Sequence, residues 1–310
     1  MIDQKYYMHN KYRSIDMKIC IEKAESLAKN NKEILIYGEE GTEKDLLARI
    51  IHNHGENKGS PFVSVNCSFM PDSLFNLELF GKSKEEPGLL QLTEDGTIHL
   101  EEISDLSLFS QAKLVETLKN RSFRRIGECY DNKVNCRIIT SSKKDLLQLV
   151  NENKFNFELF YLISVFPINI PPLRKRKKEI LSLANSYLDE YNKSHLYNKK
   201  FLHPHTLKLL QSYDWPGNTI ELHNVISRAI HYSSSNAIKP EDITFVNIKS
   251  IENAQCSGSL KELIQAYEKN IVEQALRKYK SARRTADMLE VSHTTILKKI
   301  QKYGLEAYIS

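Results

Sequence analysis

Disulfide and zinc scaffolds are the first things this sequence leaves no room for. Its five cysteines (Cys20, Cys67, Cys129, Cys136 and Cys256) are odd in number, and no two stand at a CxxC spacing. That usage suits a reducing cytoplasm. Long apolar runs are missing too. No stretch of 18 apolar residues exists, and the opening "MIDQKYYMHNKYRS" has no apolar signal-peptide core, so neither a membrane span nor a secretory leader is expected. There is no internal repeat and no low-complexity block. His52 and His54 share one helical stretch and His203 and His205 open another. Neither pair has a partnering cysteine or carboxylate pattern, so no metal site is expected. Excess charge of one sign is also scarce, at +5 net over 310 residues. That small surplus is uneven. Residues 259–310 carry ten basic and six acidic side chains, against 34 and 33 in the first 258, which points to an acidic partner for the last segment.

What is present is ample material for a core, with 41% hydrophobic and 27% charged residues, enough for one large domain and a smaller one. Short β-branched runs, "ILIY" (34–37), "FVSVN" (62–66), "TIHL" (97–100), "CRIIT" (136–140) and "FPINI" (166–170), alternate with helical patterns such as "KDLLARIIHNH" and "LFSQAKLVETLKN". This is the signature of βαβ units around a buried parallel sheet. After about Pro171 the strands stop, and helices are predicted at 176–192, 204–213 and 217–232. Polar residues 247–259 read as a linker, followed by helices at 260–279, 282–289 and 293–303. The basic run "LRKRKK" (173–178) reads as a solvated face opening a helix, and Trp215 as a packing residue at a turn.

Between the first strand and its helix lies "GEEGTEKD" (38–45). A phosphate-binding loop reads G-x-x-x-x-G-K-[ST], with backbone N–H groups around the phosphates and the lysine reaching them. Gly38, Gly41, Thr42 and Lys44 fit that pattern. Glu43 stands where the second glycine belongs, and Asp45 where the hydroxyl residue belongs. "DGTIHLEEI" (95–103) ends a strand on Glu101 and Glu102, the place of acids that hold Mg²⁺ and orient water.

With their surroundings these segments resemble the AAA+ domain of sigma-54-dependent (NtrC-like) transcription activators. The family's "GESGTGKE…A..IH" appears as "GEEGTEKDLLARIIH", "F..VNC" as "PFVSVNCSFM", "GGTLFLDEI" as "DGTIHLEEI", "VFPI.LPPLRER" as "VFPINIPPLRKR", and "WPGNVREL" as "WPGNTIEL". "ELFG" stands at 78–81 and "QAKLVETL" matches "QAKLL..L". The resemblance implies an α/β, AAA+ P-loop NTPase-like parallel sheet (10–170), a helical lid (171–246), a linker (247–258) and a small all-α domain (259–310). Its landmarks begin within the first 40 residues, leaving no room before them for a receiver, PAS or GAF-sized segment.

The departures from the family pattern fall on working parts. Only "KSKEEP" (82–87) follows "ELFG", where the family inserts the "GAFTGA" loop that touches sigma-54. The two arginine-finger positions are Asn156 and Leu162, the sensor arginine is Ile220, the sensor asparagine is Lys143, and the Mg²⁺-binding aspartate is Glu101. Asp45 departs less, since the family has Glu there. One carboxylate beside a phosphate at 4 Å costs about 4 kcal/mol at an effective dielectric of 20, roughly a thousandfold in affinity. Glu40 adds a second acidic neighbour. The missing fingers are worth about 10³ to 10⁵ in rate. Gly38, Gly41, Thr42, Lys44, Asp45, Glu101 and Glu102 are therefore expected to form a vestigial nucleotide site with no catalytic residues. No cofactor is required, and any ATP–Mg²⁺ binding is weak.

The tail "RRTADMLEVSHTTILKKIQKYGL" has two short helices joined by a tight turn, the second capped by Ser292. Ala286, Leu289, Val291, Ile296 and Ile300 are spaced to pack together. Such a pair is a helix-turn-helix, whose second helix enters the major groove of double-stranded DNA. It resembles the Fis-type domain of NtrC-like activators and tyrosine-repressor-type regulators. Arg283, Arg284, Lys299 and Lys302 are expected on phosphates, with His293, Thr294, Thr295 and Lys298 towards base edges and Ser292 at the helix start. Leu260, Leu263, Ile264, Ile271, Ala275 and Leu276 are more than one hairpin covers, and the Fis-type resemblance implies a homodimer through this helix. The reading is a DNA-binding regulator with an inactive AAA+ scaffold for oligomerisation or effector binding, acting at ordinary promoters by occlusion or by contact with RNA polymerase. The alternatives are an ATP-dependent sigma-54 activator and a regulator that binds ATP without hydrolysing it.

Overall fold

Strand β1 (Ile34–Tyr37) lies between β4 (Arg137–Ser142) and β5 (Pro167–Asn169), and the sheet continues through β3 (Thr97–Glu101) to β2 (Phe62–Asn66). All the pairings are parallel, with Leu35 opposite Thr140 and Pro167, and Ile98 opposite Val63 and Ile138. The computed structural model describes residues 14–125, 128, 130–195, 198–245, 260–279, 281–289 and 291–305. The expected linker 247–258 lies outside them. Helices cover both faces of the sheet, which is why β1 and β4 are buried without alternation. Ile34 and Ile36 enter a core with Met17, Ile21, Leu47 and Ile51, while Leu35 joins Val65, Phe75, Leu100, Leu114 and Ile138 on the other face. Each such side chain contributes about 1.5–3 kcal/mol on burial.

Helix α1 (Ile15–Ala28) starts at Ser14, whose hydroxyl accepts from the Met17 N–H at 3.2 Å. Its C-terminal carbonyls are held by the buried Arg137, which donates at 2.9 Å to both Leu27 O and Ala28 O. Burial pulls that guanidinium down to about 10, while the carbonyl end of the helix offers it the favourable sign of dipole. Helix α2 (Lys44–His54) follows the β1 loop, and α3 (Asp72–Phe80), α4 (Leu108–Asn120) and α5 (Phe157–Ile163) pack on the opposite face.

The lid comprises α6 (Lys177–Ser194), α7 (Pro204–Ser212) and α8 (Asn218–Tyr232). Trp215 is fully buried between α7 and α8 and donates its indole N–H to Leu210 O at 2.8 Å, the packing role its sequence context predicts. The basic run before α6 differs from expectation. Arg176 is fully buried in a 2.6 Å ion pair with an equally buried Glu179, and Arg174 reaches the β1 loop. Arg174, Lys175, Lys177 and Lys178 remain exposed, while Leu173, Arg176 and Glu179, three apart, turn to the buried side. Removing either partner of the buried pair costs about 3–5 kcal/mol.

The described residues divide into two compact units, the first ending at Phe245. In the second, α9 (Leu260–Tyr279), α10 (Ala282–Met288) and α11 (His293–Tyr303) enclose Val272, Leu276, Ala286, Ile296, Ile300 and Leu305. Leu289 packs against this core from its edge. Val291, expected within it, is 38% exposed, because the turn points it outward.

Candidate functional site

The loop after β1 has the shape its motif predicts. Gly41 adopts φ 75°, and Glu43 at the start of α2 adopts φ 69° and ψ 43°. That is the left-handed conformation a glycine takes without strain, so Glu43 keeps the turn at a cost of about 1–2 kcal/mol. Thr42 donates its hydroxyl to Glu39 O at 2.7 Å, tightening the loop. Lys44 does not point into open space. Its ammonium lies 2.8 Å from Glu102 Oε1 and donates to Gly38 O at 3.0 Å, with both charged side chains about nine-tenths buried. Glu102 also accepts from the Lys143 N–H at 3.0 Å through its other oxygen.

The acidic residues of the loop are matched by distant cations. Arg174 grips Glu39 through two bonds of 2.6 and 2.7 Å and holds its carboxyl below the usual range. Lys143 does the same for Glu40 at 2.9 Å. The expected repulsion from Glu40 is thus offset by a partner 103 residues away. The lid closes over the same loop. Asn218 donates to Glu40 O at 2.8 Å, Thr219 donates to Gly41 O through both its N–H and its hydroxyl, and a Cβ on Gly41 would fall 2.3 Å from Gly217 O.

Asp45, His99 and Glu101 come together below the lysine, with one potential ligand atom of each within 4.8 Å of the others. Asp45 was expected at the loop and Glu101 at the strand end. His99 was missed, although its place two residues before Glu101, on the same face of β3, was the available signal. Its Nδ1 lies 3.6 Å from Asp45 Oδ1 and 3.8 Å from Glu101 Oε1. The His99 ring, with Arg49 bonding the other Asp45 oxygen at 2.7 Å, keeps that carboxyl below its ordinary value against the opposing effect of burial.

In the C-terminal unit Ser292 caps α11, accepting from the Thr295 N–H at 3.1 Å. Arg283, Arg284, His293, Thr294, Lys298 and Lys302 are exposed, and Thr295 is half-buried. Lys299 is occupied differently, since it pairs with Glu268 of α9, which also accepts from the Tyr303 hydroxyl at 2.5 Å. An apolar groove of about 560 Å³ runs beside it, lined by Tyr267, Ile271, Val272, Leu289, Val291 and Ile296. The side chains of Leu260, Leu263 and Ile264 lie outside the described residues.

Comparison with known proteins places this arrangement. Residues 11–169 match the sigma-54 interaction domain, 174–257 the AAA+ ATPase lid domain and 257–306 a helix-turn-helix domain. The chain belongs to the sigma-54 interaction domain family. It is 36% identical to the regulatory protein AtoC of Escherichia coli K12, over 94% of this chain and 66% of that one. It is 34% identical to the transcriptional regulatory protein TyrR of Haemophilus influenzae, over 93% of each. It spans a smaller share, 58%, of TyrR from Salmonella typhimurium. Among solved structures, NtrX from Brucella abortus in complex with ATP superposes with a TM-score of 0.72 at 26% identity, covering 94% of this chain and 68% of NtrX.

Of the three residues that the resemblance sets at the arginine-finger and sensor positions, two have structural duties and one does not. Asn156 caps α5, its side chain accepting from the Glu158 and Leu159 N–H groups at 2.8 and 3.0 Å. Leu162 packs against the second core, and Ile220 is 58% exposed on α8. After "ELFG" the chain turns back at once, with Lys82 N–H donating to Glu86 O at 3.0 Å and Gly81 bridged to Pro87. Among the described residues no helix is long and apolar enough to cross a membrane.

Proposed function

We propose that this chain is a DNA-binding transcription regulator whose AAA+ domain acts as a scaffold and does not turn over ATP. The observation that carries the proposal is the double occupation of the site. Lys44 is held by Glu102, and both finger positions have become parts of the fold in Asn156 and Leu162. A phosphate would have to take Lys44 from a carboxylate nine-tenths buried, and no arginine of this motif would then meet the transferred charge. Equilibrium ATP binding and steady-state hydrolysis by the purified protein test this. Hydrolysis no faster than a buffer control is expected, and turnover near one per second that Lys44→Ala abolishes would sink the proposal.

A second reading keeps ATP as a ligand. The positive φ values at Gly41 and Glu43 preserve the backbone turn of a phosphate cradle, and NtrX is solved with ATP and with ADP. Saturable ATP binding without hydrolysis would favour it. Because residues 82–87 close as a tight turn, the chain is not expected to stimulate sigma-54 promoters. Open-complex formation by sigma-54 polymerase that depends on this protein would refute that point.

In the DNA complex we assign Arg283, Arg284 and Lys302 to phosphates and His293, Thr294, Thr295 and Lys298 to base edges. Lys299 is reassigned to holding α11 on α9. A second copy of this chain, covering Tyr267 and Ile271 of α9, makes the two-fold reader of a palindrome. Sedimentation of the purified chain tests the dimer.

A further inference from the structure

His99 is a fully buried imidazole in the middle of β3, in contact with neither the lysine nor the loop backbone among its recorded polar contacts, and the regulator's function as read above gives it no task. Its Nε2 is engaged by Ser141 Oγ at 3.0 Å. Its Nδ1 faces three oxygens: Ser64 Oγ at 3.1 Å, Asp45 Oδ1 at 3.6 Å and Glu101 Oε1 at 3.8 Å. Ser64 donates to Glu101 at 2.6 Å, which aims that carboxylate at the ring. Asp45 Oδ1 is itself buried with no hydrogen-bond partner, while Oδ2 is satisfied by Arg49. The Oδ1 atom, 3.6 Å from the imidazole nitrogen, has capacity for a further partner.

We propose that Asp45, His99 and Glu101 form a protein-only site for a divalent transition cation of the Zn²⁺ and Co²⁺ class, filled without nucleotide. The donor set is one nitrogen and two carboxylate oxygens, each a ligand type that zinc accepts, with a fourth position left for water. Ligand atoms around a tetrahedral zinc sit about 3.4 Å apart, and the 3.6 and 3.8 Å separations from His99 are near that value. The two carboxylates, within 4.8 Å of each other, would have to draw together on binding. Ser141 holds the outer ring nitrogen and Ser64 holds Glu101, the kind of outer partners that orient metal ligands. The imidazole also sets selectivity. Mg²⁺ requires oxygen and water in an octahedron, whereas a nitrogen donor favours the later first-row metals. The cation would clamp the start of α2 to the end of β3. This inference is independent of the nucleotide reading, since it holds whether or not ATP binds.

The full-length chain, stripped by chelator, is titrated with Co²⁺ and followed by visible d–d absorption, with Zn²⁺ and excess Mg²⁺ as competitors. One saturable site per chain is expected, displaced by Zn²⁺ and not by Mg²⁺. Other histidines and the cysteines also bind Co²⁺, so the variants decide the matter. His99→Phe and Glu101→Gln should each weaken the site by about tenfold or more, the scale on which even outer partners matter. His203→Ala should leave it unchanged. Metal-free melting curves show whether a variant is folded, and if His99→Phe is not, Glu101→Gln alone carries the test. Absence of a saturable site, equal affinity in wild type and the folded variants, or displacement by Mg²⁺ as effective as by Zn²⁺ would each overturn the proposal.

Discussion

Glu43 holds the loop in a conformation that its side chain disfavours, so the residue makes a test of its own. Glycine there releases about 1–2 kcal/mol of left-handed strain and gives back about 0.5–1 kcal/mol of chain entropy. Glu43→Gly is therefore expected to raise the denaturation midpoint slightly. It should also tighten ATP binding by removing a carboxylate from the cradle. A lower midpoint with no gain in affinity would show that the glutamate supports the loop. The cysteines give a second expectation. Burial pushes the Cys67 thiol up to about 12 and Cys136 to about 11, and Cys20 is raised as well. Thiolate is the reactive form, so these three should resist alkylation at neutral pH and react only on unfolding, as mass spectrometry of labelled peptides would show. At this scale the sequence was legible where a motif fixed the neighbours, as with Lys44 and Ser292. Arg174 with Glu39 and Lys143 with Glu40 were not legible, because 135 and 103 residues separate the partners and no local spacing encodes them. His99 was hidden differently, since Thr97, His99 and Glu101 alternate with Ile98 and Leu100, and period 2 gives a shared face without naming the partners that other elements bring to it.

At the scale of elements the loop and the lid form one clasp. Gly41 has no room for a methyl group against Gly217 O, so Gly41→Ala should loosen α8 from the loop and raise hydrogen exchange at its first amides. Arg174→Ala removes a partly exposed pair and should cost under about 1 kcal/mol. The clasp also has a pH dependence of definite sign. Arg174 lowers the Glu39 carboxyl from 4.5, and Lys143 lowers that of Glu40. Their contribution is therefore complete above pH 4.5 and is lost as the pH falls through the lowered values. Protection factors at Asn218 and Thr219, with the intrinsic pH dependence of amide exchange divided out, should fall only in that acid range. An onset near neutrality would mean that another group controls the lid. The strands were readable as β-branched runs, two of them (34–37 and 62–66) with their ends and the other three to within two residues. The inward turn of Arg176 was not readable, since a basic run looks solvated until the opposite core is known.

At the scale of the whole molecule the charge distribution separates the two units. The basic surplus of residues 259–310 falls on the three-helix unit, whose exposed cations include Arg283, Arg284, Lys298 and Lys302. The isolated 259–310 fragment is expected to bind DNA as a dimer, with half-sites about 34 Å apart. Lys302→Ala should weaken binding to all sequences alike and lower the salt slope by about one. Lys298→Ala should instead cost about 1–3 kcal/mol on the operator and spare non-specific binding. Footprinting with salt titration distinguishes them, and a fragment that stays monomeric without DNA affinity would refute the assignment. The division into a sheet domain and a helical reader was legible because period and composition both change along the chain.

Trp215 is the only tryptophan in the sequence, and it is wholly enclosed by the lid. Tyr213 and Phe245 crowd its ring, and three residues later Asn218 touches the β1 loop. The protein therefore carries a built-in optical reporter. Its tryptophan emission should be blue-shifted in the native state and should redden when water reaches the lid core. A ligand that moves the loop should alter that emission without any dye being attached.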